Sequence, residues 1–503
     1  MRRTGTMFYS ALLLTGANLA LRMVSMGFQV YLSGQIGAAG IGLLQLVLSV
    51  SMLAMTAGMG GIRTSAMYLT AEEVGSGRWQ GVRRVLSACF LYSFLFSTAV
   101  ALLVWFCAPL VAEAWIGDLR TLAALRIFAA FLPVVCLGGV MTGYFTAAGR
   151  IRELVAVEIL EQVVSMAVTV LLLSHWASGD PGRACCAVVG GSSAASLVTL
   201  LSLLFLRSRE TNRLPDRQEA PVPVAGRLLR VALPLALADD LRMGISTVEN
   251  LIVPRRLGLF PQSAEPLAEY GVVCGMVFPT LMFPAAILYT VADLLVPELA
   301  RCRAAKNTER MHHLTGTCLR MGCLFALCTA CLMGALSDGL GQIVYKSADC
   351  GRYLLVFAPA VLMLYLDAMV DGMLKGFGEQ TACVRYNTLT SLLDVALLYL
   401  LLPRFGLAAY VLTFYLTHAI NFWLSIRRLL RVTGYPADGR FLLRSAFCAL
   451  AGLGACCCLP DRGLLPAMVL RAGLFVSVFL LFLELMDTVP AEDHRWLRRS
   501  LRL

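Results

Sequence analysis

The stretch VLSACFLYSFLFSTAVALLVWFCAPLV (85–111) runs through 27 residues without an Asp, Glu, Lys, Arg or His. Wound into an α-helix at about 1.5 Å per residue it reaches about 40 Å, more than the roughly 30 Å hydrocarbon core of a bilayer. Arg83 and Arg84 stand at its start and mark a water-facing edge. Working outward from it, the chain divides into fourteen apolar stretches: 7–33, 40–68, 85–111, 121–148, 153–175, 184–206, 228–254, 268–298, 314–336, 352–374, 382–402, 406–426, 441–459 and 464–486. The basic residues between them alternate. The N-terminus, the even-numbered connections and the C-terminus carry more than three times as many Lys and Arg as the odd-numbered connections. By the positive-inside rule both termini face the cytoplasm. The fold class expected is an all-α, multi-pass membrane protein with about fourteen transmembrane helices.

Composition agrees. A hydrophobic fraction of 58% with 15% charged residues lies far from an ordinary soluble domain. The net charge of +11 sits in short connections, as at Arg207, Arg209, Arg213 and Arg217. Membrane topology and anionic lipid account for it, and nucleic acid is not an expected partner. The 17 cysteines fall mainly within spans, as at Cys185, Cys186 and Cys323, where they read as small packing residues. His312 and His313 have no cysteine pair beside them, so no zinc site is expected. The first apolar run is too long for a signal-peptide core and reads as an uncleaved anchor. No phosphate-binding loop and no sizeable extramembrane segment is found, which points to a transporter without cofactor rather than an enzyme.

The longest connection, 207–227, carries arginines, glutamates and Pro215, Pro221 and Pro223, and reads as a cytoplasmic linker. The segments on either side resemble each other. At an offset of 220, Leu21-Arg22-Met23 falls on Leu241-Arg242-Met243 and Gln29 on Glu249. At an offset of 229, Gly143 and Gly149 fall on Gly372 and Gly378, and Glu158, Glu161, Gln162 and Ser165 fall on Asn387, Thr390, Ser391 and Asp394. This is a parallel repeat of six helices. The organisation expected is an N-lobe at 1–206, the linker at 207–227, a C-lobe at 228–430, and two further helices with a cytoplasmic tail at 431–503.

Charged side chains at membrane depth cost at least about 2.5 kcal/mol each, so they face a partner or water. In the first span Asn18, Arg22, Ser25 and Gln29 share one helical face; in the seventh Asp239, Arg242, Ser246 and Glu249 do, followed by Asn250. The fifth span adds Glu158 and Glu161, the tenth Asp367, Asp371 and Lys375, and the eleventh Asp394. These stripes are expected to surround a hydrated cavity between the two lobes. Plainer readings stand beside this one. Asp239 with Arg242, and Asp371 with Lys375, have the spacing of local ion pairs. Glu158 and Glu161 fit interfacial positions, Arg126 fits a snorkelling one, and Arg63 fits a topological charge at the cytoplasmic end of its span. Arg22 differs, because no acidic residue shares its span. Its partner comes from another helix or from a ligand. Pro133, Pro234, Pro279, Pro284 and Pro359 are expected kink sites.

The segments ENLIVPRRL (249–257), AEYGVVCGMVFPTLMFPAAIL (268–288) and TVADLLVPELARCR (290–303) resemble the stage V sporulation protein B branch of polysaccharide flippases. LRMVSMGFQVYLSGQIGAAGIGLLQLVLSV (21–50) and GYFTAAGRIRELVAVEILEQ (143–162) resemble it too. That branch belongs to the multidrug/oligosaccharidyl-lipid/polysaccharide (MOP) exporter superfamily. The resemblance implies two six-helix lobes alternating between inward-open and outward-open states in a bacterial cytoplasmic membrane. It implies a polyprenyl-(pyro)phosphate-linked sugar as substrate, with membrane lipids and a coupling ion as further partners of a monomeric chain. In the related lipid II flippases, arginines in the central cavity are required, and Arg22 matches the one in the first helix. No acidic residue follows the Gly-Ala-Ala-Gly turn at 37–40 and no arginine lies in 268–292, which argues against lipid II itself. The expected binding residues are Arg22 and Arg242 for phosphate, with Asn18, Gln29, Asp239, Glu249 and Asn250 around them. Arg63, Glu161, Asp367, Asp371 and Asp394 are secondary. The lipid tail is expected in the bilayer or in a groove beside the last two helices. The alternative is a cation-coupled multidrug or metabolite exporter of the same superfamily, centred on carboxylates without a required arginine.

Overall fold

The computed structural model describes residues 2–75, 79–176, 179–211, 225–436, 439–459 and 465–488. Most of the 207–227 linker, with Arg213 and Arg217, and the tail from residue 489 lie outside the described residues, as does the side chain of Asn18.

Every regular element among the described residues is helical. In chain order they are α1 (Arg2–Met59), α2 (Ile62–Gly75), α3 (Trp79–Leu110), α4 (Leu122–Ala147), α5 (Ile151–His175), α6 (Pro181–Thr211), α7 (Ala225–Leu257), α8 (Pro266–Val272), α9 (Phe278–Met282), α10 (Ala285–Ala304), α11 (Thr308–Ala335), α12 (Ser337–Gly339), α13 (Ala348–Phe357), α14 (Ala360–Gly376), α15 (Gln380–Phe405), α16 (Leu407–Thr433), α17 (Gly439–Cys457) and α18 (Leu465–Leu485). Three π-helical turns, Val111–Ile116, Val273–Val277 and Leu340–Val344, interrupt this series.

Ten of the described helices are long and apolar enough to cross a membrane, or up to twelve if each of two bent pairs is one span. Two elements explain the distance from the expected fourteen. Helix α1 runs for 58 residues, about 87 Å of helix, yet holds a non-helical glycine at Gly37 (φ 69°, ψ 176°). One bilayer crossing takes a third of that length, and only glycine accepts such a φ without strain. Helix α7 spans 33 residues but is not among the ten. Asp239, Asp240, Arg242 and Glu249 interrupt its apolar run. The bent pairs are α8–α9 with α10, at 60°, and α13 with α14, at 56°. Pro284 and Pro359 sit at these bends, as expected of residues that lack an amide donor. Pro133 and Pro234 lie within continuous helices.

The helix surfaces are strongly apolar. Phe106 and Leu443 are each 75% exposed, among many exposed leucines and phenylalanines, a surface that suits lipid and not water. The described cysteines are free thiols, most of them buried, as expected of packing residues.

The chain forms two compact units. The first comprises Met1–Phe28, Gln35–Arg255 and Glu265–Gly271. Its core joins Ile62, Ala66 and Leu69 of α2, Val82, Val85 and Leu86 of α3, Val140, Tyr144 and Phe145 of α4, and Leu200 and Leu203 of α6. Glycines set the closest approaches. At Gly143 a Cβ would lie 2.5 Å from the Arg63 carbonyl, so α2 and α4 meet backbone to backbone. Helix α7 packs within this unit, with Leu228 and Ala232 in the same core. The Thr247 hydroxyl donates to the Ser49 carbonyl at 3.2 Å.

The second unit comprises Gln29–Gly34, Arg256–Ala264 and Val272–Leu503. Here α14 packs between α10, α11 and α16, and the last pair, α17 and α18, leans on α11. An aromatic group of Phe278, Phe357, Tyr410 and Phe414 fills one end of its core. Gly372 does for α14 what Gly143 does for α4, since a Cβ there would meet Ala292 of α10 at 2.7 Å. Gly149 and Gly378 end those two helices with φ near +70°. The sequence repeat thus reappears as the same packing device in both units.

Candidate functional site

The polar stripes are borne by helices whose other residues are apolar, so each polar group stands out by placement. On α1, Arg22 and Ser25 are exposed. On α7, Asp239, Arg242 and Ser246 are exposed, while Glu249 and Asn250 are half-buried. Arg22 and Arg242 fall near the middle of the stretches 7–33 and 228–254 that the sequence marks as apolar. Asp239 and Arg242 form no ion pair with each other among the described residues, so the plain local-pair reading is not what the structure holds. An exposed guanidinium on a helix that lies in lipid needs polar partners, because lipid solvates it poorly.

Two expected binding residues are engaged by the protein. Gln29 donates from Nε2 to the Gly275 carbonyl at 2.9 Å, inside the π-helical turn 273–277. A π-turn shifts the i→i+4 register and leaves carbonyls to be satisfied from outside. Asn250 accepts from the Tyr270 hydroxyl at 3.1 Å. Both side chains hold helix segments in place.

Arg63 is exposed on α2, and Glu158 and Glu161 are half-buried on α5. Arg126 lies over the Trp105 ring, 5.5 Å from its centroid.

A second group of polar side chains gathers in the second unit. Asn421 of α16 donates from Nδ2 to Asp367 of α14 at 2.7 Å, and Asn387 of α15 donates to Asp371 at 3.3 Å. Thr390 reaches the Asn421 carbonyl oxygen at 3.4 Å, and the Thr417 hydroxyl donates to Asp394 at 2.8 Å. One carboxylate oxygen each of Asp367 and Asp371 is buried without a hydrogen-bond partner. Asp371 and Lys375 do not form the i, i+4 ion pair that their spacing allows. The chain thus brings Asp367 and Asp371 beside amide and hydroxyl groups inside the helix bundle, with acceptor capacity left over for a cation or a proton.

Sequence reasoning missed α16 as a contributor. Its buried Thr413, Thr417, Asn421 and Ser425 recur every four residues and form one face. That period was available in the sequence as a polar stripe inside an apolar span.

Known proteins share this architecture. Residues 9–235 match the family of polysaccharide biosynthesis proteins. Stage V sporulation protein B of Bacillus subtilis is 22% identical over 406 residues, covering 79% of this chain and 78% of its relative. Among solved structures, the lipid II flippase MurJ in an inward closed conformation superimposes with a TM-score of 0.73 at 11% identity, covering 94% of this chain and 98% of that one. An inward-facing multidrug resistance MATE family transporter of the MOP superfamily superimposes with a TM-score of 0.64 at 12% identity, covering 84% and 100%. The resemblance read from the sequence therefore holds: the chain is similar in sequence to the polysaccharide biosynthesis family over residues 9–235 and to stage V sporulation protein B over most of its length, and it shares the fold of the MurJ and MATE transporters.

Proposed function

We propose that the protein flips a polyprenyl-(pyro)phosphate-linked oligosaccharide or cell-wall precursor across the bacterial cytoplasmic membrane by alternating access, making and breaking no covalent bond. The observation that carries this reading is the pair of exposed arginines, Arg22 on α1 and Arg242 on α7, each near the middle of an apolar stretch of the sequence. A pyrophosphate entering the membrane loses its water. Guanidinium groups replace that water with paired, charge-assisted hydrogen bonds of matching geometry. In this reading Ser25, Asp239 and Ser246, exposed on the same two helices, serve the sugar hydroxyls. Gln29 and Asn250 support the helices beside them. Similarity to a sporulation protein of the polysaccharide branch and to a lipid II flippase supports the substrate class.

In this reading fourteen spans cross the membrane with both termini in the cytoplasm, and a single chain suffices. Asp367 and Asp371, with Asn387, Asn421 and the neighbouring Asp394–Thr417 pair, take the coupling ion. Their partnerless buried oxygens suit a monovalent cation or a proton better than a bulky glycan. The same carboxylates favour the second reading, a cation-coupled multidrug or metabolite exporter. The two separate at Arg22.

Replacing Arg22 with Ala is expected to abolish flipping of a fluorescent polyprenyl-pyrophosphate sugar in proteoliposomes at matched levels of folded protein. Replacing it with Lys restores part of the rate, since a point charge lacks the planar fork. Wild-type flipping by the Ala variant removes the arginine from the mechanism and moves the assignment to the exporter.

A further inference from the structure

Within the second unit a cavity of about 540 Å³ lies among α11, α13, α14, α17 and α18, a size that suits a small-molecule ligand. Small residues open it. Ala330, Gly334 and Ala335 leave α11 shallow on this side, and the 56° bend at Pro359 turns α13 out of line with α14. Leu355 of α13 and Leu450 of α17 line it while 54% and 61% exposed, so it opens onto the apolar outer surface of the bundle. The lining is sorted along its length. Leu327, about 12 Å along α11 from Ala335, and Leu362 lie toward one end. The charged lining residues, Asp338 and Arg471, stand at the other. Arg471 of α18 donates to the Leu459 carbonyl at 2.7 Å and the Ala335 carbonyl at 3.5 Å, just where α17 and α11 finish. Those carbonyls are neutral, so they hold the guanidinium at the mouth of the cavity without cancelling its charge. Asp338 is exposed and forms no ion pair among the described residues. Both charges therefore stand where apolar helices end, at the level of lipid headgroups.

We infer that this cavity holds one zwitterionic phospholipid as a resident ligand, with an acyl chain along α11 toward Leu327, the phosphate on Arg471 and the headgroup ammonium on Asp338. Charge selects this occupant. A guanidinium grips a phosphate through paired, charge-assisted hydrogen bonds. An anionic headgroup without an ammonium would meet Asp338 as a like charge, whereas an ammonium beside the phosphate turns the same carboxylate into a partner. A polyprenyl pyrophosphate carries more negative charge still and is disfavoured for the same reason. The resident lipid is therefore not the lipid proposed as transport substrate.

The test offers the full-length, delipidated protein an equimolar mixture of phosphatidylethanolamine, phosphatidylglycerol and polyprenyl pyrophosphate in detergent, and reads bound lipid by native mass spectrometry. The wild type is expected to retain one phosphatidylethanolamine, several-fold ahead of either competitor. Asp338→Asn removes the ammonium's partner and should erase the preference over phosphatidylglycerol. Gly334→Leu should lower retention of every phospholipid several-fold, because a Cβ there already lies 3.8 Å from Ala358 and Leu355 and the longer side chain takes cavity space. If that variant does not accumulate, Asp338→Asn, at an exposed position, still decides. Location is read at Cys331, which lines the cavity. As the single remaining cysteine it should be alkylated by a small apolar maleimide several-fold more slowly once phosphatidylethanolamine is added. No retained lipid, a preference for phosphatidylglycerol or polyprenyl pyrophosphate, wild-type selectivity in Asp338→Asn, or unchanged alkylation of Cys331 each overturns the inference. Flipping is read in none of these measurements, so their outcome and that of the proposed function stand apart.

Discussion

Gly143 and Gly138 lie just over one turn apart on α4, yet alanine at the two positions should act with opposite sign. At Gly143 a Cβ would lie 2.5 Å from the Arg63 carbonyl oxygen and 3.2 Å from the Met67 amide nitrogen. Both are backbone atoms, so no side chain can swing aside. Opening the α2–α4 contact to an ordinary separation is an overpacking event of about 1–3 kcal/mol. The better helix propensity of alanine returns about 0.5–1 kcal/mol, which leaves a net loss of about 1–2 kcal/mol. At Gly138 nothing lies within 4 Å of the added carbon, so only the propensity gain remains. The two variants should therefore differ by about 2 kcal/mol, or roughly thirtyfold in the unfolding equilibrium. Equilibrium unfolding in mixed micelles, followed by tryptophan fluorescence, reads this directly. Arg63 sits on the displaced segment of α2, so transport should fall with stability at Gly143 and not at Gly138. Equal stability of the two variants, or a Gly143→Ala protein more stable than wild type, refutes the backbone-contact argument. The repeat sharpens it: Gly372→Ala should destabilise likewise, because its Cβ would lie 2.7 Å from that of Ala292.

Other outcomes follow from particular contacts. Asn421→Leu strips Asp367 of its 2.7 Å donor and should destabilise the second unit by about 1–3 kcal/mol, while altering the dependence of transport on the driving ion. Unchanged ion dependence with unchanged stability would remove that cluster from the coupling scheme. Asp118, at the connection before α4, is pushed up by burial, but hydrogen bonds and charge from Arg120 outweigh this and hold its carboxyl below the usual range. Its stabilising contribution is therefore present above the unfolded carboxyl pKa of about 3.9 and fades as pH falls through the lower folded value. Amides of the Asp118 connection should exchange faster only below that window, and loss nearer neutral pH would contradict the assignment. Single cysteines at Ser208 and Lys346, in a cysteine-free background, should differ in labelling by an impermeant thiol reagent on intact cells, with only the second accessible. Labelling at Ser208 would invert the topology.

Much of the fold was legible because lipid makes the code simple. Apolar length gives the spans, and Pro284 and Pro359 announce the bends by lacking a backbone donor. Gly143 and Gly372 matched in sequence because close helix approach has no other residue to use. The site was less legible. Helical spacing puts Arg22 with Gln29, and Arg242 with Glu249, on one face, but not which group on a neighbouring helix answers each. Gln29 proved to satisfy a π-turn carbonyl, and a π-turn leaves no mark in an apolar sequence. Asn421 escaped notice because a neutral amide in a span costs little beside a charge, although it organises Asp367. Helix α7 was grouped with the helices that follow it in the chain. Contacts group it with those before it, since Arg227, Leu228 and Ala232 find their partners on α2 and α3.

The central claim is that the purified protein moves a lipid-linked pyrophosphate sugar across a bilayer. The most direct measurement follows a fluorescent polyprenyl-pyrophosphate disaccharide in unilamellar vesicles, reading the fraction quenched by an impermeant reductant with and without the reconstituted protein. The account predicts that quenching rises from the outer-leaflet half of the probe toward completion only in vesicles holding the wild-type protein. It also predicts that excess unlabelled polyprenyl pyrophosphate slows the rise and that organic drug cations do not. Quenching that stays at the protein-free level, in vesicles where the same protein exports a drug cation, would contradict it.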